Sequence, residues 1–321
     1  MGQSGSLRKG IDWVRKALPA NVSTFLPRRV LGTTGVSVTL LGLGGQGYLQ
    51  YGQNDGKAIA LVKAALHYGI NYVDTAPAYG PSQRRIGWAT RDLPDGEFFL
   101  ATKTHDRSYD GSRRLLEESM QHLGRKVDLW QLHNLKWPDA DFAKLERGVV
   151  KALRKAKEEG MVRFIGVTCH SDPILLRAFL RYFPDFDASL FALNMADVHG
   201  PSFKSIVLPL TKDQGIGAVA MKVMGRGALV DKLVPYVEAI ARMALAYPLS
   251  CGVDCAIVGF DDTDQLKELV DSASGFTDLT LEEMERLEVV SSYARQEGNW
   301  FKVCFEGTSV SEKFKDVEPM P

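Results

Sequence analysis

Short apolar runs alternate with segments of helical spacing along most of the chain, from residue 29 onward. The apolar runs, which predict strands, end near Leu43, Asp74, Lys103, His133, Thr168, Asn194, Met221 and Gly259. The helical stretches cover about 59–66, 115–123, 145–156, 173–182, 202–214, 231–246 and 262–273. Because helical crossovers between strands force parallel pairing, eight such units favour an α/β fold of the (β/α)8 TIM barrel type. A doubly wound open sheet is the structural alternative.

Residues that flank the repeating units complete the predicted architecture. Residues 29–40 read as an N-terminal β-hairpin, with turn residues near Thr34 and Gly35. An extra C-terminal helix is predicted over about 280–297, with apolar residues suited to packing on the barrel. We therefore expect one barrel domain over residues 29–297.

The two ends of the chain carry weaker patterns. In the extension, residues 1–28, the positions Ile11, Val14 and Leu18 recur at helical spacing, which leaves open a docked short helix or a loose segment. The tail, residues 298–321, has aromatic side chains without strong periodicity. We expect part of the tail to form an active-site flap.

Composition and charge narrow the classes of protein. The 321 residues hold 39 Lys and Arg against 39 Asp and Glu, which argues against a strongly basic nucleic-acid binder. No apolar run is long enough to predict a membrane span, and the first residues lack a secretory signal pattern. The four cysteines are sparse, and Cys251 and Cys255 lack a second ligand pair for zinc. These features favour a cytoplasmic protein without a metal site.

Residues 42–47, Gly-Leu-Gly-Gly-Gln-Gly, fit the dinucleotide-binding fingerprint GxGxxG. That fingerprint needs a helix that begins at the glycines, so that the helix N-terminus meets the pyrophosphate. The residues that follow show no helical face, and the first helix is expected near Asp55. We therefore predict a flexible loop at the mouth of the first strand.

Ionisable side chains end three neighbouring predicted strands: Asp74, Lys103 and His133. Tyr79 follows Asp74 in the next loop, so a barrel would place all four at one rim. Tyrosine is a poor acid at neutral pH, and a nearby ammonium would lower the pKa of Tyr79 and make it a better proton donor. Asp74 would keep Lys103 charged and oriented, while His133 would donate a hydrogen bond to a carbonyl oxygen. Such a site can protonate an oxygen while a group from the substrate or from a cofactor attacks the carbon, and a hydride from a nicotinamide would fit.

With these four residues in place, the sequence resembles the aldo-keto reductase family. The matching stretches are residues 71–80, 101–104, 128–133, 163–168 and 224–227. The resemblance spans about residues 29–290 and implies a (β/α)8 barrel that binds NAD(P)H and reduces an aldehyde or ketone to an alcohol. It also implies that Asp74, Tyr79, Lys103 and His133 form the catalytic tetrad, with Tyr79 as proton donor. We expect Asp74→Asn to be milder than Lys103→Met, because Lys103 would keep its charge within reach of solvent.

Several positions depart from the family pattern. Thr168 and Cys169 stand where many relatives have Ser-Asn, which hold the nicotinamide amide, and Asn194 resembles another amide contact. Met221 and Lys222 replace a Tyr that often stacks on the nicotinamide. The flexible thioether of Met221 can still cover a ring face, and Lys222 can meet a cofactor phosphate.

The stretch after the eighth strand bears on the choice of cofactor. Gly259 and Phe260 stand where NADPH-preferring relatives have Lys and Ser, and Gln265 stands where they have Arg. Asp261 adds negative charge and can accept from a ribose hydroxyl. We therefore expect substantial use of NADH. Further cofactor contacts are expected in the matching 224–227 stretch, at Gly225 and Arg226.

Other functions stay open at this point. The same fold could hold a nicotinamide cofactor as a sensor or regulatory subunit with little turnover. An isomerase or lyase could use Lys103 as a Schiff base, and Lys103 with Asp74 could be a structural ion pair. The expected partner is a small-molecule carbonyl compound, with no nucleic acid or membrane. The sequence leaves the substrate and the oligomeric state open.

Overall fold

Eight parallel strands close into a barrel in the computed structural model, which describes residues 25–302. The helix considered over 11–18 and the tail from residue 303 lie outside the described residues. The barrel strands are β3 (Leu41–Gly44), β4 (Tyr72–Asp74), β5 (Phe99–Thr104), β6 (Val127–Leu132), β7 (Val162–Cys169), β8 (Ala188–Ala192), β9 (Gly217–Met221) and β10 (Cys255–Val258). They pair in chain order, and β10 pairs with β3 to close the ring. The predicted (β/α)8 fold is confirmed, and the open sheet is excluded.

The helices surround the barrel, and an apolar layer separates the two. The α-helices span Tyr48–Tyr51, Asp55–His67, Ser82–Thr90, Tyr109–Leu123, Phe142–Leu145, Lys151–Glu158, Pro173–Tyr182, Phe203–Ile206, Leu208–Asp213, Ala228–Leu233, Ile240–Cys251, Thr263–Ser274, Leu281–Ser291 and Arg295–Asn299. A π-helical segment, Glu146–Val150, joins two of them, and short 3-10 turns cover Trp137–Ala140, Asp197–His199, Gly225–Gly227 and Ser292–Ala294. None of the helices within residues 25–302 combines the length and apolarity needed to cross a bilayer.

Four predicted helices are interrupted in the structure, one of them, 145–156, by the π-helical segment. The stretch 202–214 is two helices, the second of which carries Pro209 in its first turn, where proline fits best. The stretch 231–246 is broken before Ile240, because Ala239 takes a left-handed conformation at φ 50°. The helix predicted over 280–297 contains a 3-10 turn, so apolar spacing alone places these helices but does not reveal their breaks.

The predicted hairpin is confirmed, and it closes the N-terminal end of the barrel. Its strands, β1 (Arg28–Val30) and β2 (Ser37–Thr39), pair antiparallel. Leu31, from its turn, is fully buried in the apolar cluster inside the barrel. Gly217 makes room for it, since a Cβ there would lie 2.6 Å from the Leu31 side chain. Only the opposite, C-terminal rim is left to hold a ligand site.

Candidate active site

The C-terminal rim brings the four predicted catalytic residues together. Asp74 ends β4, Lys103 lies near the end of β5, and His133 directly follows β6. The Lys103 Nζ donates to Asp74 Oδ2 at 2.5 Å and to the Thr75 carbonyl at 2.8 Å. Both ends of this ion pair are buried, at 1% exposure each. A buried pair keeps both charges only while both partners are present.

Tyr79 lies between Lys103 and His133. The Lys103 ammonium is 4.8 Å from the centre of the Tyr79 ring. The His133 ring meets Tyr79 edge-on, with centroids 5.6 Å apart and planes at 81°. Tyr79 is nearly buried and lines the large cavity of the rim. The Tyr79 ring therefore contacts both a cation and an imidazole at a solvent-shielded place.

The pKa of Tyr79 moves opposite to the sequence expectation. Burial raises the pKa of Tyr79 well above its usual value, and the Asp74 carboxylate raises it further, against a smaller lowering by Arg226. The Lys103 ammonium fails to lower it because its hydrogen bonds go to Asp74 and Thr75, and only the ring faces it. In this state Tyr79 is a protonated hydroxyl throughout the neutral range, which is the form that donates a proton.

Burial also shifts the pKa values of the other three residues, Asp74, Lys103 and His133. It lowers the pKa of Lys103 and raises that of Asp74, and each shift is countered in part by the other partner. The pKa of His133 falls well below its usual value because of burial first, and then because of Lys103 and His170. His133 is thus a neutral imidazole that can donate one N–H to a carbonyl oxygen.

A cavity of ≈ 920 Å³ begins at Asp74 and Tyr79 and continues along the rim. The predicted cofactor contacts that line it are Met221, Lys222, Arg226, Gly259, Asp261 and Gln265. These residues come from the ends of β9 and β10 and the loops that follow. Of the four predicted catalytic residues, Asp74 and Tyr79 line this cavity, whereas Lys103 and His133 are not among its lining residues.

Two cations, Lys222 and Arg226, form one wall of this cavity. Both take the left-handed conformation, at φ 60° and 61°, which is strained for a side-chain-bearing residue and typical of ligand sites. Lys222 Nζ donates to Gln46 Oε1 at 3.0 Å, and the Arg226 guanidinium lies 4.8 Å from the Trp300 ring centre. Neither has a carboxylate ion-pair partner among residues 25–302. Burial, then Arg226, lowers the pKa of Lys222 to about 8, so this wall suits an anionic ligand.

Two predicted contacts, Thr168 and Cys169, end β7 and are not among the residues that line the cavity. Alternate residues of a strand face opposite sides, and Cys169 faces the helices. Its thiol lies 3.5 Å from the Leu135 carbonyl and 3.4 Å from that of Asp172, on the side of the strand away from the barrel interior. The buried Thr168 hydroxyl already accepts the Asn134 backbone N–H at 2.7 Å.

Three further predicted contacts also serve the fold. The Asn194 amide donates to the carbonyls of Lys222 and Gly298, at 3.1 and 2.9 Å, so it joins two loops instead of facing a ligand. Phe260 packs in the apolar layer under the helices. Gly225 is buried beneath the cavity wall and does not line it. Long-range bonds of this kind leave no local signal in the sequence.

The glycine-rich stretch contributes to the cavity, as the predicted loop at the strand mouth. Its glycines permit close approach to the barrel: a Cβ at Gly45 would lie 2.5 Å from the Asp74 carbonyl oxygen. The expectation that no helix precedes Asp55 is wrong, because Tyr48–Tyr51 form a single helical turn. Sequence reasoning missed Tyr48 and Tyr51 as lining residues, although both follow the first strand directly. Within residues 25–302, no group of three or more His, Cys, Asp or Glu side chains could hold a metal ion.

Comparison with known proteins agrees with this geometry. Residues 40–235 match the model of the Aldo/keto reductase family. L-galactose dehydrogenase of Arabidopsis thaliana is 25% identical over 304 residues, which cover 83% of this chain and 94% of that protein. D-threo-aldose 1-dehydrogenase of Pseudomonas sp is 29% identical over 232 residues, or 61% of this chain and 69% of the relative.

Solved structures show the same fold. An aldo-keto reductase from Bacillus halodurans, in its holo form, superposes with a TM-score of 0.70 at 23% identity, covering 83% of this chain and 96% of the other. The family match spans more than half of the sequence and includes all four rim residues. The chain therefore belongs to the aldo/keto reductase family, and it is an oxidoreductase of that family.

Proposed function

We propose that this protein is an NAD(P)H-dependent carbonyl reductase in which Tyr79 donates the proton. One observation carries the proposal: Tyr79 lies between Lys103 and His133 at the end of a long cavity with a cationic wall. A tyrosine hydroxyl beside a charged lysine and a neutral imidazole has the groups needed to protonate an oxygen. The four residues include no serine or cysteine nucleophile, and the Lys103 amine is engaged by Asp74, so the attacking group in this proposal comes from a cofactor.

The residues of the cavity fit a nicotinamide dinucleotide. Lys222 and Arg226, which have no carboxylate partner within the described residues, would hold its phosphates, and Met221 would cover a ring face. When bound, the nicotinamide supplies the hydride that adds to the carbonyl carbon. The groove is long enough to run from Tyr79 to Asp261 and Gln265, where a ribose and adenine would be held.

Each side chain of the tetrad then has one task in the reduction. His133, as a neutral imidazole, would donate its N–H to the substrate oxygen and orient the carbonyl group. Tyr79 would pass its hydroxyl proton to the same oxygen as the carbon–oxygen double bond becomes a single bond. Lys103, held by Asp74, would keep a positive charge against the Tyr79 ring, and Arg226, which lowers the pKa of Tyr79, would help to stabilise the tyrosinate that this leaves.

The proposal is tested with Tyr79→Phe, which removes the proton donor and little volume. We expect kcat to fall by about a hundredfold or more, the usual scale for loss of a general acid. The Kd of NADPH should stay within about twofold, because the cationic wall is untouched. Tyr68→Phe, a buried tyrosine outside the rim, is the matched control. Near-normal turnover of purified Tyr79→Phe would contradict the assignment.

The same assays separate the alternatives. A cofactor sensor would bind NADPH but turn over none of a broad aldehyde panel. Schiff-base chemistry would be revealed by borohydride trapping of substrate on Lys103. The panel should include aldoses and their C1-oxidised lactones, because two relatives are an L-galactose and an aldose 1-dehydrogenase. For oxidation, Tyr79 must act as a base, and its raised pKa means that this direction should gain rate as pH rises.

We further propose that NADH serves well, within about tenfold of NADPH. The cavity end formed by Gly259, Asp261 and Gln265 has no cation in the positions that would hold a 2′-phosphate. Asp261 can instead accept a hydrogen bond from a ribose hydroxyl. Measuring kcat/KM for both cofactors with one aldehyde decides this, and an NADPH preference above about a hundredfold would contradict it.

The three free cysteines among residues 25–302 fit a cytoplasmic location.

A further inference from the structure

The backbone that directly follows the His133 Cα is held by one arginine, Arg107. His133 donates its N–H to the Thr104 carbonyl, which continues the strand ladder. Its own carbonyl leaves the ladder and accepts from Arg107 Nη2 at 3.1 Å. The same Nη2 donates to the carbonyl of Asn134, at 3.2 Å, and Asn134 takes the left-handed conformation at φ 55°. Arg107 thus holds the peptide group that directly follows the His133 Cα and the peptide group after it.

Asp139 holds Arg107 in place. Its carboxylate accepts from Arg107 Nε at 2.8 Å and from Nη2 at 2.7 Å, a two-bond geometry that fixes the plane of the guanidinium. Asp139 Oδ2 also accepts the Lys136 backbone N–H at 3.0 Å, which ties the pair to the loop after β6. Arg107 Nη1 donates in addition to the His105 carbonyl. The pair therefore joins the loop after β5 to the loop after β6.

The π-helical segment Glu146–Val150 is shaped around the same arginine. The Arg107 carbonyl accepts the Val149 N–H at 3.0 Å. A Cβ at Gly148 would lie 2.2 Å from that carbonyl oxygen, so only glycine permits this approach. Gly148 also leaves helical geometry, with φ −102° and ψ −110°. Irregular helical turns of this kind are often found beside functional sites. Here the turn packs against the Arg107 backbone and donates a hydrogen bond to it.

We propose that Arg107, held by Asp139, is the positioning residue for His133. This inference rests on the proposed function, because it assigns Arg107 to the orientation of a tetrad member. The Arg107 side chain bonds backbone carbonyls and a carboxylate, so it acts on the substrate only through His133. Without it, the carbonyls of His133 and Asn134 lose their donor, and the strained left-handed turn is free to relax. A small displacement of the imidazole is enough to disturb the orientation of the carbonyl group.

Arg107→Met tests this against a closely matched control, Arg29→Met. Arg29 also donates to two backbone carbonyls, of Leu249 and Val253, and lies near Asp278. The two arginine side chains are similarly exposed, at 26% and 29%, but Arg29 lies at the sealed end of the barrel. We expect Arg107→Met to lower kcat by about 10- to 100-fold with an unchanged Kd for NADPH. Arg29→Met should keep kcat within about twofold.

Two further measurements separate positioning from general damage. In a His133→Gln background, Arg107→Met should lower kcat by no more than about twofold, because both changes act through one imidazole. Hydrogen exchange at the backbone amides of residues 133–135 should accelerate in Arg107→Met and not in Arg29→Met. If Arg107→Met does not fold, Arg107→Lys and Asp139→Asn take its place, since each keeps volume but removes the paired bonds.

Equal losses of kcat in Arg107→Met with and without His133 would overturn the proposal, as would unchanged exchange at residues 133–135. The exchange measurement needs no catalysis, so it tests the proposal independently of the proposed function. A wild-type protein that reduces no carbonyl compound, or a fully active Tyr79→Phe, would instead refute the function. The proposal is supported if Arg107→Met lowers kcat only in the protein that keeps His133 and also accelerates hydrogen exchange at residues 133–135.

Discussion

At the scale of single residues, burial decides what each charge can do. Lys103 and Asp74 meet in a place that water does not reach, and each carries a charge only because of the other. The expectation that Lys103 would stay within reach of solvent, and that Asp74→Asn would be the milder change, does not hold in this structure. Removal of the carboxylate leaves a buried ammonium without a partner, and such a group gives up its proton.

We now predict that Asp74→Asn is as harmful to kcat as Lys103→Met. It should also lower the free energy of unfolding by about 3–5 kcal/mol, the usual cost of breaking a buried pair from one side. The double variant, Asp74→Asn with Lys103→Met, should recover part of this loss, because it leaves no unpaired charge. Urea unfolding of the three variants measures the effect. An Asp74→Asn protein that unfolds at the wild-type urea concentration would contradict it.

Lys222 gives the site a predicted pH dependence. With its pKa lowered to about 8, Lys222 is charged below that pH and becomes neutral above it. Binding of an anionic cofactor should therefore be constant from about pH 6 to 7.5 and weaken above pH 8, by up to about tenfold per unit. Fluorescence titration with NADH across this range measures it. Lys222→Arg keeps the charge and should flatten the profile, so an equally steep profile in that variant would assign the effect elsewhere.

At the scale of elements, the sequence predicts most of what local chemistry controls. The sequence places the strand ends correctly, because an apolar run that stops at an ionisable residue such as Asp74 or Lys103 indicates a buried strand that ends at the rim of the barrel. Strand alternation could also have excluded Cys169, since it follows Thr168 and must face the other way. Asn194 could not have been judged locally, because its amide bonds Gly298, which is 104 residues away. Breaks inside helices, as at Ala239, depend on tertiary contacts in the same way.

Asn194 should affect both stability and cofactor binding. Asn194→Ala leaves the carbonyls of Lys222 and Gly298 without this donor, at a cost of about 1–3 kcal/mol. Because the Lys222 backbone is then less firmly held, the Kd of NADH should also rise. Asn299→Ala is the comparison: its amide bonds the carbonyls of Ala196 and Arg295 and does not touch Lys222. Similar rises in Kd for both variants would contradict a specific role of Asn194.

At the scale of the whole molecule, a second buried ion pair attaches the last described residues, 298–302, to the barrel. Lys302 donates to the Asp197 carboxylate, which also accepts from Ser202 Oγ and two backbone N–H groups. Both partners are largely buried. This pair holds the chain close to Trp300, whose ring faces the two cations of the cavity wall.

Loss of this fastening should be seen in thermal unfolding. Lys302→Met leaves the Asp197 carboxylate buried without its cation, and we expect Tm to fall by roughly 5 °C or more. Lys267→Met is the matched control, because it breaks an exposed pair with Asp271 that contributes well under about 1 kcal/mol. Differential scanning calorimetry of both variants compares them. A Tm for Lys302→Met equal to that of Lys267→Met would show that the buried pair does not hold the segment.

The sealed end of the barrel has an electrical consequence for the open one. Leu31 and the apolar cluster around Tyr72 fill the space directly beneath the Asp74–Lys103 layer, and they act as an insulator. Water does not screen the two charges from that side, because the apolar cluster has a low polarisability and screens charge poorly. The pair is therefore screened less than it would be beside water, and the part of its field that reaches the mouth acts on Tyr79 more strongly. A hairpin that touches no ligand thus helps to determine how strongly the catalytic end of the molecule acts on a developing charge.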